Sequence, residues 1–531
     1  MDAQFAYKWL AGHAGDDCRV RQLRQYGAPD GGPDFSSHGI SLLTGWLPLA
    51  VQVVAGLVLL AAIGRRDRRW FAWCLPVLAL CAAVAVLLFQ RYISGHGLAS
   101  DPAPLALSIW IGITATAILL VALGWRGSRW SRRGMSVLAV PLSLLCVGVS
   151  LNDWVGYFPT VNEAWSQLTA GPLPDEVDAA QLAGLAGTGA SMTSGRLVGV
   201  TIPATTSNFT HREEYVYLPP AWFTPARPQL PVLMMISGEF NTPADWIRVG
   251  NAVQIEDNFA AHHQGEAPVV VFVDSGGSFN NDTECVNGPR GNVADYLTKD
   301  VPTYLESQFH VATDPARWGI VGWSAGGTCA LDLTVMHPEL FGSFEDIAGD
   351  LGPNVGDQAT TTANLYGGDA RAWASFDPLT VLAGHAPYVN TAGWFENSSS
   401  TGFGGHGWRG GGPGGGPGGG ARPGVHPGGP GDLGNRPGGT AGYGGRPDGH
   451  DAPGAEVAAA TQLCTAARAK GIDCTLHSQD GRHSWQFASA AFSDALPWLA
   501  SRLGLPAASG SATQQPGQSV ASGAVAGGQP R

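Results

Sequence analysis

The sequence predicts two unlike parts: an all-α module of four transmembrane helices, and behind it an α/β domain with a mostly parallel sheet covered by helices on both faces. Three observations support this division. Only 14% of the 531 residues are charged, against about 25% in an ordinary soluble domain. Four long apolar runs lie within the first 151 residues. Further on, short apolar runs alternate with helix-like stretches, which is typical of a parallel sheet buried on both faces.

The membrane module is predicted over residues 41–151, between a polar segment at 1–40 and a linker at 152–194. Its four apolar runs are Leu42–Ile63, Trp70–Phe89, Leu105–Leu123 and Met135–Leu151. About 20 apolar residues are enough to cross the hydrocarbon core of a bilayer. None of the runs has a charged residue near its middle, as an ion or proton pathway would need. We therefore expect a membrane anchor and not a transporter.

Arginines set the expected orientation of this module. Four of them lie between the first two runs and four between the last two, whereas the middle connection has only Arg91. Short positive loops remain in the cytoplasm, so the chain after about Asn152 is expected outside it. This predicts a multi-pass protein of the cell membrane whose second domain is extracytoplasmic. The net charge of −12 gives no basic domain for nucleic acid.

The α/β domain is predicted over residues 195–506. Expected strands are Arg196–Ile202, Glu213–Leu218, Leu230–Ile236, Pro268–Asp274, Trp318–Val321, Phe344–Ala348, Ala392–Phe395 and Cys474–His477. Expected helices are Asn292–Gln308, Ala325–His337, Glu456–Lys470 and Trp485–Leu503. Residues 402–450 interrupt the pattern, because about half of them are Gly and almost none are aliphatic. We predict disorder for this insertion and for the tail at 507–531, since neither can bury enough apolar surface to offset its ordering entropy.

A nucleophile motif joins one predicted strand to the next helix. Gly322-Trp323-Ser324-Ala325-Gly326 matches G-x-S-x-G, which holds a serine on a tight strand-to-helix turn in α/β-hydrolases. Ser324 is therefore the candidate nucleophile. A serine needs an adjacent base, and in this fold the histidine comes last in the chain. His483, in the loop before the final helix, is the candidate base.

The acid that would orient the histidine is expected after the strand Ala392–Phe395. Two candidates remain open. Glu396 ends that predicted strand, and Asp451 lies just beyond the Gly-rich insertion. If the insertion loops out, Asp451 returns to nearly the same place.

Two backbone N–H groups are expected to form an oxyanion hole. One belongs to Ala325, directly after the candidate nucleophile. The other follows the strand Leu230–Ile236 and belongs to Glu239 or Phe240.

From about Gly195 to Leu505 the chain resembles the putative-esterase family of α/β-hydrolases, which includes mycobacterial mycolyltransferases (the antigen 85 group), S-formylglutathione hydrolases and feruloyl esterases. The resemblance to the mycolyltransferase branch rests on Gly238 with Trp246 after the oxyanion strand, on the helix Tyr296–Pro302, and on His483-Ser484-Trp485 with Phe487. It implies an α/β-hydrolase fold and acyl-ester chemistry.

We therefore expect a membrane-anchored extracytoplasmic serine esterase or acyltransferase that acts on an ester or lipid small molecule through an acyl-enzyme. The alternative is a catalytically silent scaffold or binding protein of the cell envelope. Four cysteines of the outer domain allow the disulfides Cys285–Cys329 and Cys464–Cys474 in an oxidising compartment. No cofactor or metal motif is present, and the sequence leaves the oligomeric state open.

Overall fold

The computed structural model describes residues 40–64, 68–96, 103–125, 129–169, 173–188, 192–279, 281–398, 455–481 and 483–506. The predicted disorder at 402–450 and 507–531, the polar segment at 1–39 and Asp451 all lie outside these residues.

Four long helices form the first part of the chain: α1 (Trp46–Ile63), α2 (Arg68–His96), α3 (Leu105–Gly124) and α4 (Trp130–Val155). Each is long and apolar enough to cross a membrane, which confirms the predicted module of four apolar helices. The helix α1 begins four residues later than the apolar run, because the Ser41 hydroxyl accepts hydrogen bonds from the N–H groups of Leu43 and Thr44 and holds a turn there.

Most apolar side chains of these helices face outward. Trp46, Leu57 and Trp73 are exposed, whereas Ala55, Trp110 and Cys146 form a small core between helices. An outward apolar surface on every helix would be unstable in water but suits a lipid environment. The first part of the chain therefore has the surface of a membrane-associated protein.

A nine-stranded sheet forms the centre of the second part. The strands of this part of the chain are β1 (Glu176–Val177), β2 (Arg196–Val200), β3 (Glu214–Leu218), β4 (Val232–Ile236), β5 (Val269–Val273), β6 (Asn287–Gly288), β7 (Gly291–Asn292), β8 (Trp318–Trp323), β9 (Ser343–Ile347), β10 (Ala392–Ser398) and β11 (Asp473–Gln479). Of these, β6 and β7 form a separate pair outside the nine-stranded sheet. The order is β1-β2-β3-β5-β4-β8-β9-β10-β11. Within this sheet only β3 runs against its neighbours. The predicted mostly parallel sheet is confirmed.

Both faces of the sheet are buried, and β4 shows why its sequence is continuously apolar. Val232, Met234 and Ile236 enter one hydrophobic core, while Leu233 and Met235 enter the other. Successive side chains of a strand point to opposite faces, so every position of a central strand has to be apolar.

Helices cover these two cores. They are α5 (Val161–Leu168), α6 (Ala179–Thr188), α7 (Pro243–Arg248), α8 (Ala252–His262), α9 (Val301–Phe309), α10 (Ala325–Met336), α11 (Gln358–Tyr366), α12 (Ala370–Phe376), α13 (Pro378–Gly384), α14 (Ala455–Ala469) and α15 (Trp485–Arg502). The predicted helix at 292–308 is divided by a π-helical turn at Tyr296–Asp300. The parallel strands β4, β8 and β11 end at one edge of the sheet, where ligands bind in open α/β sheets.

Candidate active site

A strained turn presents Ser324 at the end of β8. Its φ of 60° and ψ of −125° lie in a region that non-glycine residues rarely adopt. The Ser324 N–H donates to the Ile347 carbonyl at 2.9 Å, which fixes the turn to β9. Glycines allow this close packing, since a Cβ on Gly322 would collide with the Gly326 carbonyl and one on Gly326 with the Ile236 carbonyl. The serine is thus held clear of the backbone at the start of α10.

The side chains of three residues form a hydrogen-bonded chain at this turn. His483 Nε2 lies 3.0 Å from Ser324 Oγ, and His483 Nδ1 lies 2.9 Å from Glu456 Oε1. The side chains of His483 and Glu456 are only 17% and 15% exposed, so water competes little for these bonds. The arrangement has the nucleophile, base and acid geometry of a serine hydrolase. The structure therefore brings the predicted Ser324 and His483 together.

The carboxylate beside His483 belongs to Glu456, and the expectation of Glu396 in this place is wrong. The strand β10 continues to Ser398, so Glu396 lies within it and is fully buried. It accepts hydrogen bonds from Trp394 Nε1 at 3.1 Å and from His477 Nδ1 at 2.6 Å. In-register pairing of β10 with β11 sets Glu396 directly beside His477. The other candidate, Asp451, lies outside the described residues.

The position of Glu456 in the sequence does not mark it as the acid, because it does not directly follow a predicted strand. It lies in the first turn of α14, after the segment that separates β10 from this helix. One signal was available, because Glu456 is the first residue of the predicted helix Glu456–Lys470. A carboxylate is also favoured at a helix N-terminus by the helix dipole. An acid expected at the end of a strand would therefore not be Glu456, which begins a helix.

Aromatic side chains support the histidine from one side. The His483 ring lies on Trp323, with ring centroids 5.2 Å apart, and Trp323 in turn contacts Trp485 at 4.6 Å. Trp485 Nε1 donates to Asn241 Oδ1 at 3.3 Å, and its ring packs edge-to-face on Trp246. The histidine loop and the loop after β4 are therefore connected through one aromatic cluster.

The loop after β4 passes close to Ser324. A Cβ on Gly238 would lie 3.1 Å from the Ser324 Cβ, so only glycine fits there without displacing the serine. Phe240 has a φ of 65°, which turns the backbone sharply at this point. Ala325 is the first residue of α10, so its N–H has no partner within the helix. The predicted oxyanion donors therefore lie on two segments that approach Ser324 from opposite sides.

A cleft opens beside these segments and is lined by residues 237–241, 275–276, 278, 281–285, Ala325 and Cys329. One of its walls is held by Arg212, which donates to both oxygens of Asp274 at 2.6 and 3.0 Å and to the Asn241 carbonyl at 2.8 Å. Burial alone would raise the pKa of Asp274, but its hydrogen bonds to Arg212 hold it below the usual value. This ion pair anchors the backbone after the candidate oxyanion residues.

Three carboxyl groups line the same cleft. Burial raises the pKa of Glu239 to about 8 and that of Asp282 to about 6. Burial, together with the neighbouring Asp282, holds the pKa of Glu284 well above its usual value. Arg290 lowers the pKa of Glu239 and Asp282, but burial outweighs it and favours the neutral form of both carboxyls. At neutral pH the Glu239 carboxyl is therefore mostly protonated.

Both predicted disulfides are confirmed. Cys285–Cys329 ties the loop that lines the cleft to the second turn of α10, four residues beyond Ala325. Cys464–Cys474 joins α14 to β11. Among the residues that the structure describes, no group of three or more His, Cys, Asp or Glu side chains is arranged to hold a metal ion.

Comparison with known proteins places this geometry in a family. Residues 209–396 match the family model described as putative esterase. An uncharacterized protein of Corynebacterium glutamicum is 32% identical over 348 residues, which cover 63% of this chain and 78% of that protein.

Among solved structures, an S-formylglutathione hydrolase from Agrobacterium tumefaciens is 20% identical, with a TM-score of 0.41, and covers 59% of this chain and 98% of its own. MPT51 (FbpC1) of Mycobacterium tuberculosis is 15% identical, with a TM-score of 0.36, and covers 58% and 97%. The family model and the corynebacterial relative show that this chain belongs to the putative esterase family.

Proposed function

We propose that the protein is a membrane-anchored serine esterase or acyltransferase whose α/β domain lies outside the cytoplasm. The observation that carries this proposal is the continuous chain of hydrogen bonds from Ser324 through His483 to Glu456. Ser324 lies on the strand-to-helix turn between β8 and α10, and the neighbouring Ala325 lines the cleft.

In this mechanism Ser324 Oγ attacks the ester carbonyl carbon while His483 Nε2 takes the hydroxyl proton. Glu456 accepts the Nδ1–H bond and stabilises the imidazolium that forms. The N–H groups of Ala325 and of Glu239 or Phe240 hold the oxyanion. The tetrahedral intermediate collapses, the C–O bond of the ester breaks, and His483 returns the proton to the leaving alcohol.

The acyl-enzyme is resolved by the same groups in reverse. His483 takes a proton from water or from a second alcohol, whose oxygen attacks the acyl carbon. Collapse then breaks the bond to Ser324 Oγ, which regains its proton from His483. Water gives hydrolysis, and an alcohol gives acyl transfer.

The two disulfides support the extracytoplasmic location, because such bonds persist in oxidising compartments and are rare in the cytosol. The arginine pattern between the membrane helices points to the same side.

The alternative of a silent scaffold rested on the absence of an identified acid. Glu456 supplies one within hydrogen-bond distance of the histidine, so the enzyme reading is favoured.

A covalent probe tests whether Ser324 is the nucleophile. The full chain in nanodiscs would be treated with a fluorophosphonate and assayed on p-nitrophenyl butyrate. We expect labelling and turnover in the wild type, no labelling of Ser324→Ala, and a loss of kcat of at least about 10³-fold, since removing a nucleophile costs up to about 10⁶-fold. Ser307→Ala, at an exposed position on α9, is the control. A wild type that neither labels nor turns over the ester would favour the scaffold.

Three matched amide substitutions test the acid. Glu456→Gln should lower kcat by about 10²- to 10⁴-fold, because it removes the carboxylate that orients the histidine. Glu396→Gln makes the same change beside His477, and Asp451→Asn makes it at the other predicted position, so both should retain most of the activity. If Asp451→Asn were the impaired variant while Glu456→Gln was active, the assignment of Glu456 would be overturned.

A further inference from the structure

The fourth membrane helix ends against the loop that carries the candidate base. Gly156 caps α4 in the left-handed conformation, with a φ of 66°. Its carbonyl accepts a hydrogen bond from Gln486 Nε2 at 2.8 Å. A Cβ on Gly156 would lie 2.5 Å from Gln486 Oε1 and 2.8 Å from the Ser484 Cβ. Ser484 directly follows His483, so the first residue beyond the membrane helix is packed against the histidine loop.

The next residue reaches the other side of the reaction centre. The Tyr157 hydroxyl donates a short hydrogen bond to Asp245. Asp245 is only 3% exposed and closes a capping box with Thr242, whose N–H donates to it at 2.6 Å. This box begins α7 directly after the loop that carries Glu239 and Phe240. Two consecutive residues therefore contact the supports of both the histidine and the oxyanion loop.

The turn directly after α4, which is called the exit turn below, is held by hydrogen bonds and is not a flexible linker. Asn152, in the last turn of α4, donates from Nδ2 to the Phe158 carbonyl at 2.8 Å and accepts from the Phe158 N–H at 2.7 Å. A pair of reciprocal bonds across six residues leaves the backbone at Gly156 and Tyr157 little freedom.

A short path of contacts connects the end of α4 to Ser324. Only Gly156 separates α4 from its contact with Ser484, and His483 lies next to Ser484 and 3.0 Å from Ser324 Oγ. With about 3.8 Å between successive Cα atoms, this path limits the distance between the serine and the end of α4 to on the order of 20 Å. The polar layer of a bilayer extends roughly 5–7 Å beyond the hydrocarbon on each side, so a path this short keeps Ser324 near the place where the chain leaves the membrane helix.

Two aromatic side chains close to these segments in the chain are exposed. Trp165 of α5, which follows the exit turn, is 69% exposed, as is Phe279, which is next in sequence to the cleft residue Ser278. The Phe279 ring packs on Phe240, with centroids 5.3 Å apart. An exposed Trp that follows a membrane helix, such as Trp165, is typical of residues that contact the bilayer interface.

We propose that Gly156 and Tyr157 are positioning residues of the active site: they couple the membrane helix to the histidine and oxyanion loops and hold the cleft against the bilayer surface, so that the ester is taken from that bilayer. This inference rests on the proposed function. It gives the anchor a part in catalysis, since the chain leaving the membrane contacts Ser484 and Gln486 beside His483, and Asp245 beside the oxyanion loop.

The first test separates bilayer placement from chemistry. Vesicles of phosphatidylglycerol would carry the full chain and would be assayed with umbelliferyl oleate, which partitions into the bilayer, and with soluble umbelliferyl butyrate. A Gly/Ser insertion between Val155 and Gly156 leaves the contacts of residues 156–157 with Ser484, Gln486 and Asp245 available, but it separates Gly156 and Phe158 from Asn152 and so releases the domain from the surface. We expect the ratio of oleate to butyrate turnover to fall at least about tenfold while butyrate turnover is retained. An unchanged ratio would overturn the placement.

The second test concerns positioning. Tyr157→Phe should lower kcat on butyrate by about three- to tenfold without changing KM, because the Asp245 support of the oxyanion loop loosens while the cleft remains. Tyr388→Phe, which removes a hydroxyl bonded to the Val335 carbonyl, is the matched control. Both variants should show the same circular dichroism and thermal midpoint.

If Tyr157→Phe behaved like the control, the positioning role would be wrong. A wild type inactive on both esters would instead refute the proposed function, so the two failures are distinguishable.

Discussion

At the scale of single residues, Glu239 links protonation to the candidate oxyanion hole. Its backbone is a candidate oxyanion donor, and burial raises the pKa of its carboxyl to about 8. Below that pH the side chain is neutral and does not oppose a developing negative charge. Above it, a carboxylate would stand beside the oxyanion and destabilise it.

The pH dependence of turnover follows from this pKa. We expect kcat/KM on a soluble ester to fall as the pH rises through about 8, because deprotonated Glu239 opposes the oxyanion. Glu239→Gln should keep the activity at pH ~7 and flatten the alkaline limb. Glu306→Gln, on the exposed face of α9, is the control, and pH–rate profiles of all three proteins are the measurement. An alkaline limb that Glu239→Gln leaves in place would contradict this role.

At the scale of elements, the two disulfides differ in what they hold. Cys285–Cys329 closes 44 residues and joins the cleft loop to α10, whereas Cys464–Cys474 closes 10 residues and joins α14 to β11. Loop-closure entropy gives about 4 kcal/mol for the first and about 2.7 kcal/mol for the second.

Removing each disulfide should therefore have different effects. The double variant Cys285→Ser, Cys329→Ser is expected to lower the thermal midpoint more than Cys464→Ser, Cys474→Ser. It should also lower kcat/KM, since the cleft wall is freed, whereas the second variant should stay near the wild type in turnover. Thermal unfolding and ester assays on both variants check this. Equal losses of activity would show that the cleft wall does not depend on its disulfide.

The elements also show how far the sequence alone reaches. Buried strands such as β4 and β8 were predicted within one or two residues, because a strand buried on both faces is continuously apolar. Ser324 and His483 followed from a local motif and from chain order. Glu456 did not, since its approach to His483 depends on how a helix packs after a segment without apolar pattern. The short helices α7 and α8 were missed for a similar reason, as tertiary packing and a capping box define them.

At the scale of the whole molecule, the arginine pattern predicts on which side of the membrane each part of the chain lies. An epitope appended to the C-terminus should be reached by antibody in intact spheroplasts, because the domain is expected outside. An epitope inserted between Arg66 and Asp67 should be reached only after permeabilisation, since positive connections remain in the cytoplasm. Accessibility of the second epitope in intact spheroplasts would reverse the orientation.

The route of the chain around the reaction centre has one more consequence. β10 ends with the Ser398 hydroxyl donating to the Gly481 carbonyl at 2.6 Å, two residues before His483, and the described chain resumes at Ala455, next to Glu456. The two ends of the intervening 56 residues therefore lie next to the residues that contact or precede His483. We expect that residues inserted near the middle of this segment would leave Ser324, His483 and Glu456 in place. This segment is then a place where a reporter or a binding module could be inserted directly beside the candidate active site.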